Sequence, residues 1–238
     1  MLNKTTILNV SINYSSKEEI LNEILIGLGG EGKKRVVMTP NPELLVMASE
    51  SKSYQNILNS ADFSLPDGIG VVMASKFLGK EVRSRITGVD FMKSLCEKVS
   101  NQTVMTGFFG AMPGIADQAA NCLKKTLPNL HVSYASHLPP DFKNNNLKID
   151  ILFVALGSPK QEQWIADNID QLPVKVVMGV GGSFDMISGK TKRAPQLIQK
   201  IGLEWLWRLI SQPWRWKRQI KLLTFISLVV KEKFKPVN

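Results

Sequence analysis

A few short stretches carry the residue types that could do chemistry. Thr39 and Asn41 sit around two prolines in TPNPE (Thr39–Glu43). Two prolines this close end a strand and hold a hydroxyl and a carboxamide in a loop at its end, a candidate site. Asp67 precedes a glycine in PDGIG. It suits a general base for a substrate hydroxyl, or simply an N-cap for a following helix. Arg83 and Arg85 flank a serine in EVRSRITG, where two guanidinium forks could grip a diphosphate. Lys160 and Gln161 open a helix in LGSPKQEQW. A lysine in a first turn opposes the helix dipole, so it suits a neighbouring anion, although a solvated first turn also accommodates it. The glycine-rich turns GFFGAMPG (with Gly107) and GVGGSFD (with Gly181) let backbone approach a phosphate, or merely pack closely.

Other chemistries are poorly served. The first glycine turn reads G-x-x-G-x-x-x-G, not the dinucleotide G-x-G-x-x-G, and no acidic residue ends the following strand to hold a ribose. No D-x-D pair occurs in these loops, and His131 and His137 are isolated, so no metal site and no cofactor is expected. There is no phosphate-binding Walker loop and no serine nucleophile elbow. Cys96 and Cys122 lack ligand or redox spacing and read as buried thiols in a reducing cytosol.

All but the arginine stretch fall just after apolar strand runs. Strand candidates are 36–38, 62–65, 103–108, 131–134, 149–156 and 174–180. Helical spacing marks 18–28, 43–59, 68–78, 89–99, 114–126 and 160–168. Near-continuous apolar strands alternating with helices predict an α/β fold, a Rossmann-like, mainly parallel sheet with helices on both faces. Ligands of such sheets sit at the carboxyl ends of the strands, where the polar stretches lie. At 238 residues and 44% hydrophobic, the chain can bury one such core. The segment MLNKTTILNVSINYSS lacks the apolar run of a signal peptide, and the longest apolar stretch, 222–230, is well short of a membrane span.

The texture changes near residue 195. We divide the chain into a core, 1–195, and a helical appendage, 196–238. From Lys200 onward there are nine Lys/Arg and two Glu, a net +7 of the chain's +10. Four of the five tryptophans also lie there. A helix over 214–234 would align Trp216, Ile220, Leu223, Ile226 and Val230, with Arg215, Lys217, Arg218 and Lys221 on another side. A basic helix docked on its own domain is one reading. A nucleic-acid arm explains the basic and aromatic residues but not the continuous apolar ones. A helix lying in a membrane interface explains both, with aromatics such as Trp214 and Trp216 at headgroup depth and basic residues toward anionic lipid.

Taken in order, TPNPE, LPDGIGVV, R-x-TG-x-D (Arg85–Asp90), FFGAMPG, LGSPKQEQW, GVGGSFDMISGKTKRAP and GLEWLWRL resemble the bacterial WecG/TagA/CpsF glycosyltransferases, glycosyltransferase family 26. The likeness covers nearly the whole chain and in texture leans to the TagA type. It implies an inverting, metal-independent enzyme that moves a sugar, N-acetylmannosamine first among candidates, from UDP to a polyprenyl-diphosphate-linked sugar. Such products serve teichoic acid linkage units, common antigen or capsule. It further implies Asp67 as base, Arg85 near the diphosphate, Thr39 and Asn41 in the pocket, and Gln161 at the nucleotide sugar. The appendage would meet the inner face of the cell membrane, with Arg208, Arg215 or Arg218 reaching the diphosphate. Homo-oligomerisation is left open, and no nucleic-acid partner is implied. A rival of another class is a non-catalytic, membrane-associated nucleotide-binding scaffold. Against it stands the joint presence of Thr39, Asn41, Asp67, Arg85 and Gln161 at strand ends.

Overall fold

The computed structural model describes residues 2–30, 33–143, 146–213 and 216–235. Strands β1 (Lys4–Ile7) and β2 (Val10–Asn13) form an antiparallel hairpin that the sequence reading did not anticipate. Its turn residues, Leu8 and Asn9, both take positive φ, at 49° and 61°. Primed hairpin turns need that conformation, but a leucine there gives little warning of it.

Six further strands form one parallel sheet: β3 (Arg35–Met38), β4 (Phe63–Ser64), β5 (Thr106–Gly110), β6 (Val132–Ser136), β7 (Ile151–Ala155) and β8 (Val176–Gly179). Their order is β4-β3-β8-β7-β5-β6. The helices are α1 (Lys17–Leu28), α2 (Pro42–Glu50), α3 (Lys52–Asn59), α4 (Ile69–Leu78), α5 (Gly88–Val99), α6 (Ile115–Thr126), α7 (Lys160–Asn168), α8 (Ser183–Ile187), α9 (Gln196–Lys200), α10 (Glu204–Ser211) and α11 (Trp216–Lys233). The expected α/β architecture is therefore present. The single helix expected over 43–59 is two, because Ser51 adopts an extended conformation and caps α3 through its hydroxyl.

The sheet separates two cores. One gathers side chains of α1, α5, α6 and α8, the other those of α2, α3, α4, α7, α11 and the hairpin. Adjacent residues of a strand face opposite ways, and Phe108 and Phe109 show it. Phe108 packs on Phe153 and Phe184, at ring separations of 5.5 and 5.4 Å. Phe109 packs on Trp164 at 4.8 Å. Cys96 is buried in the first core, where desolvation raises its thiol pKa to about 12, whereas Cys122 is only half-buried.

The last helix belongs to this architecture. Phe225 and Val229 of α11 are buried in the second core, against α2 and α4. Near its end, Glu232 accepts hydrogen bonds from the Leu8 amide at 2.7 Å and from Lys80 Nζ at 2.5 Å. No helix among the described residues is long and apolar enough to cross a membrane.

Candidate active site

Two strand-end loops and the loop between α4 and α5 lie side by side. Parallel pairing of β3 and β4 continues past the strands, with Leu65 N donating to Met38 O (2.8 Å) and Asp67 N to Pro40 O (3.0 Å). The loop before α5 joins through Ile86 N to Pro66 O (2.9 Å). Thr39, Asp67 and Arg85 are thereby brought to one edge of the sheet. Thr39 is buried against Gly88, the first residue of α5, where a Cβ would lie 3.4 Å from the threonine methyl.

Asp67 is half-buried and does not cap α4. Gly68 holds the N-cap position with φ at 96°, a conformation that favours glycine, and no side chain caps the helix. The N-cap explanation for Asp67 is removed. Arg85 is engaged by the appendage, through Nη2 to Gln199 O (2.9 Å) and Nη1 to Glu204 Oε2 (3.4 Å). Arg83 is exposed.

Several expected ligands prove to be occupied within the protein. Asn41 caps α2, its Oδ1 accepting from Leu44 N at 3.1 Å, with Pro42 in the first turn. Gln161 is buried rather than facing the cleft. Its Nε2 donates to Glu162 Oε1 (2.7 Å), and its Oε1 accepts from Gly181 N (2.9 Å). It therefore positions the turn after β8, where Gly181 takes φ of 52° and a Cβ would meet nothing within 4 Å. Gly107 lies inside β5, not in the loop after it. A Cβ there would fall 2.8 Å from Ile149 and 3.1 Å from Leu152, so its role is close packing. Lys160 is exposed at the start of α7.

Glu162, which the sequence reading passed over, is fully buried. Besides Gln161, it accepts from Ser158 Oγ (2.9 Å) and Tyr54 Oη (3.2 Å). Burial raises its pKa and the three donors oppose the shift, leaving it above the usual carboxylate range.

A second overlooked cluster ties core to appendage. Arg193 grips Asp90 bidentately, Nη1 to Oδ1 and Nη2 to Oδ2, both at 2.6 Å. Thr87 Oγ1 donates to the same Asp90 Oδ2 at 2.6 Å. Burial pushes the Asp90 carboxyl up, but Arg193 and Thr87 outweigh it and hold the pKa below its ordinary value. Arg193 Nε also meets Glu204 Oε1 at 3.3 Å. Beside these groups lies a cavity of about 400 Å³ lined by Arg85, Asp90, Arg193, Gln196, Gln199 and Lys200. Motif reading quoted Asp90 and Arg193 as text, but nothing in the text says that they pair.

In the appendage, Trp216 is exposed and Lys221 half-buried. Trp214 and Arg215, and the side chains of Arg208 and Arg218, lie outside the described residues.

Comparison with known proteins agrees with the motif order. The family model described as "Glycosyl transferase WecG/TagA/CpsF family" matches residues 5–238. An N-acetylglucosaminyldiphosphoundecaprenol N-acetyl-beta-D-mannosaminyltransferase of Bacillus spizizenii is 37% identical over 84% of this chain and 80% of its own. The protein of that name from Bacillus subtilis strain 168 is 36% identical over 83% of this chain and 79% of its own. One from Staphylococcus aureus strain MRSA252 is 31% identical over 90% and 86%. With a match running nearly end to end over a sheet whose strand-end loops carry the family's motifs, the chain belongs to the WecG/TagA/CpsF family of glycosyl transferases.

Proposed function

We propose that this protein transfers N-acetylmannosamine to the N-acetylglucosamine of a diphosphoundecaprenol carrier, the reaction its relatives are named for, with the UDP conjugate of the sugar as donor. In this reading it supplies the linkage unit of a teichoic acid. The supporting observation is the backbone pairing that brings Thr39, Asp67 and Arg85 to one sheet edge.

The proposed reaction is an inverting displacement without a metal. Asp67 takes the proton of the acceptor hydroxyl as that oxygen attacks the anomeric carbon. The bond to the UDP oxygen breaks on the opposite face, and its electron pair leaves with the diphosphate. Arg85 stabilises the charge that grows there, and so favours the transition state over the ground state. Thr39 orients the sugar. The appendage rests on the anionic inner surface of the membrane, where the lipid-linked acceptor is found, and its basic residues contribute about 1 kcal/mol each.

Asp67→Asn tests the assignment. The variant should fold and bind UDP as before while turnover falls roughly 10²–10⁴-fold. Near-normal turnover would remove Asp67 from the role of base.

A further inference from the structure

Glu204 occupies an unusual place for a surface-helix carboxylate. It is buried at the first turn of α10, and each oxygen meets a different arginine of the core. Oε2 lies 3.4 Å from Arg85 Nη1, and Oε1 lies 3.3 Å from Arg193 Nε. Charge-assisted bonds of this kind are normally about 2.7–2.9 Å. The same Arg193 holds Asp90 at 2.6 Å through both terminal nitrogens. Arg193 is thus fixed firmly by Asp90, and Glu204 is the loosely held member of the cluster. One carboxylate shared between two guanidinium groups also resembles a phosphate shared between them. The adjoining cavity of about 400 Å³ presents Arg85, Arg193 and Lys200 against one acid, Asp90. Removing Glu204 from the cluster would leave an excess of positive charge facing that cavity.

We infer that Arg85 and Arg193 together form a diphosphate site, and that Glu204 fills its anion position until a substrate diphosphate displaces it. This rests on the transferase reading for a diphosphate reaching Arg85; Arg193 and Glu204 are what it adds. Asp90 and Thr87 are positioning residues that aim Arg193. Displacing Glu204 also undoes an anchor of α10, so filling the site loosens the start of the appendage. A nucleotide and a prenyl carrier both present a diphosphate, and the two are separable by experiment.

Isothermal titration of the full chain with UDP, and separately with geranyl diphosphate, tests this. Glu204→Gln should tighten binding of whichever probe enters the site by about tenfold, because a neutral amide competes less well for two arginines. Arg193→Gln should weaken binding of the same probe at least about tenfold. A change confined to UDP identifies the donor diphosphate; one confined to geranyl diphosphate identifies the carrier. In the unaltered chain, that probe should speed amide hydrogen exchange across residues 203–211, a readout that depends on no variant folding. Unchanged or weakened affinity for both probes in a folded Glu204→Gln protein overturns the inference and leaves the transferase reading standing. So does unaltered exchange in 203–211 at saturation. If the unaltered chain binds neither probe, the transferase reading fails and takes this inference with it.

Discussion

Helix α11 carries apolar residues on two opposed faces, and only one of them is covered. Phe225 and Val229 point into the second core and are 2% and 5% exposed, with Leu222 and Leu228 packed beside them. On the other side of the helix, Trp216, Leu223, Ile226 and Val230 are 55%, 70%, 52% and 41% exposed. Both faces have similar hydrophobicity, so composition does not distinguish them. The inner face meets a complementary surface made by α2 and α4 of the same chain. The outer face keeps a stripe that is largely exposed, with Leu223 and Ile226 more than half accessible. An exposed apolar patch of this kind marks an interaction site, and it is the face that the proposed membrane contact would use.

The sharpest way to break the comparison is Phe225→Ala. If the inner face is core, the variant should lose about 3 kcal/mol or more in denaturant unfolding. A loss under about 1 kcal/mol would mean that α11 is merely laid on the domain. The converse is the double substitution Leu223→Gln with Ile226→Gln, which keeps charge and helix propensity. Affinity for anionic vesicles should fall about 100-fold or more, since each of the two side chains loses about 1.5 kcal/mol or more of apolar burial. Its stability should stay within about 0.5 kcal/mol of the parent. Vesicle flotation at parental strength would show that the outer stripe does not meet lipid. The smallest effect is expected at Asn41→Ala, which removes the cap of the helix on which α11 rests. Thermal unfolding should report a loss of about 1 kcal/mol, with vesicle binding intact. A variant with parental stability would show that this cap contributes nothing to the docked face.

That last prediction reverses the sequence-based view of Asn41, which expected substrate to be its partner. The reason is general to this site. Thr39 and Asp67 could be picked out because they follow apolar strands, and strand pairing places them, whereas Arg85, in the loop between α4 and α5, joins them through the Ile86–Pro66 backbone bond. Asn41 and Gln161 lie in the family motifs too, but Asn41 Oδ1 serves a helix cap, and Gln161 binds the turn after β8 through Oε1 and Glu162 through Nε2. A motif does not disclose which polar atoms the protein keeps for itself. Glu162, Asp90, Arg193 and Glu204 were harder still. Arg193 lies 103 residues from Asp90, and Arg85 lies 119 from Glu204. The first pair joins two distant segments of the core and the second follows from how the appendage crosses it, and no local pattern encodes either. Fold class was legible for the opposite reason: continuous apolar runs between amphipathic helices report burial directly. The β1–β2 hairpin escaped because its strands are four residues each, half polar, and joined without glycine.

The bond between the Leu8 amide and Glu232 spans 224 residues of chain. It has a consequence for how the molecule is made. The ribosome releases the hairpin early and α11 late, so for most of synthesis the second core stands open where Phe225 and Val229 will close it. Domains generally fold as units as they emerge, and this one is incomplete until its final described helix arrives. A nascent chain therefore exposes an apolar groove between α2 and α4 and, once α11 emerges, an apolar helix that can fill it or turn toward lipid. Closure of that groove, fastened at Glu232, decides which face of the helix the cell sees.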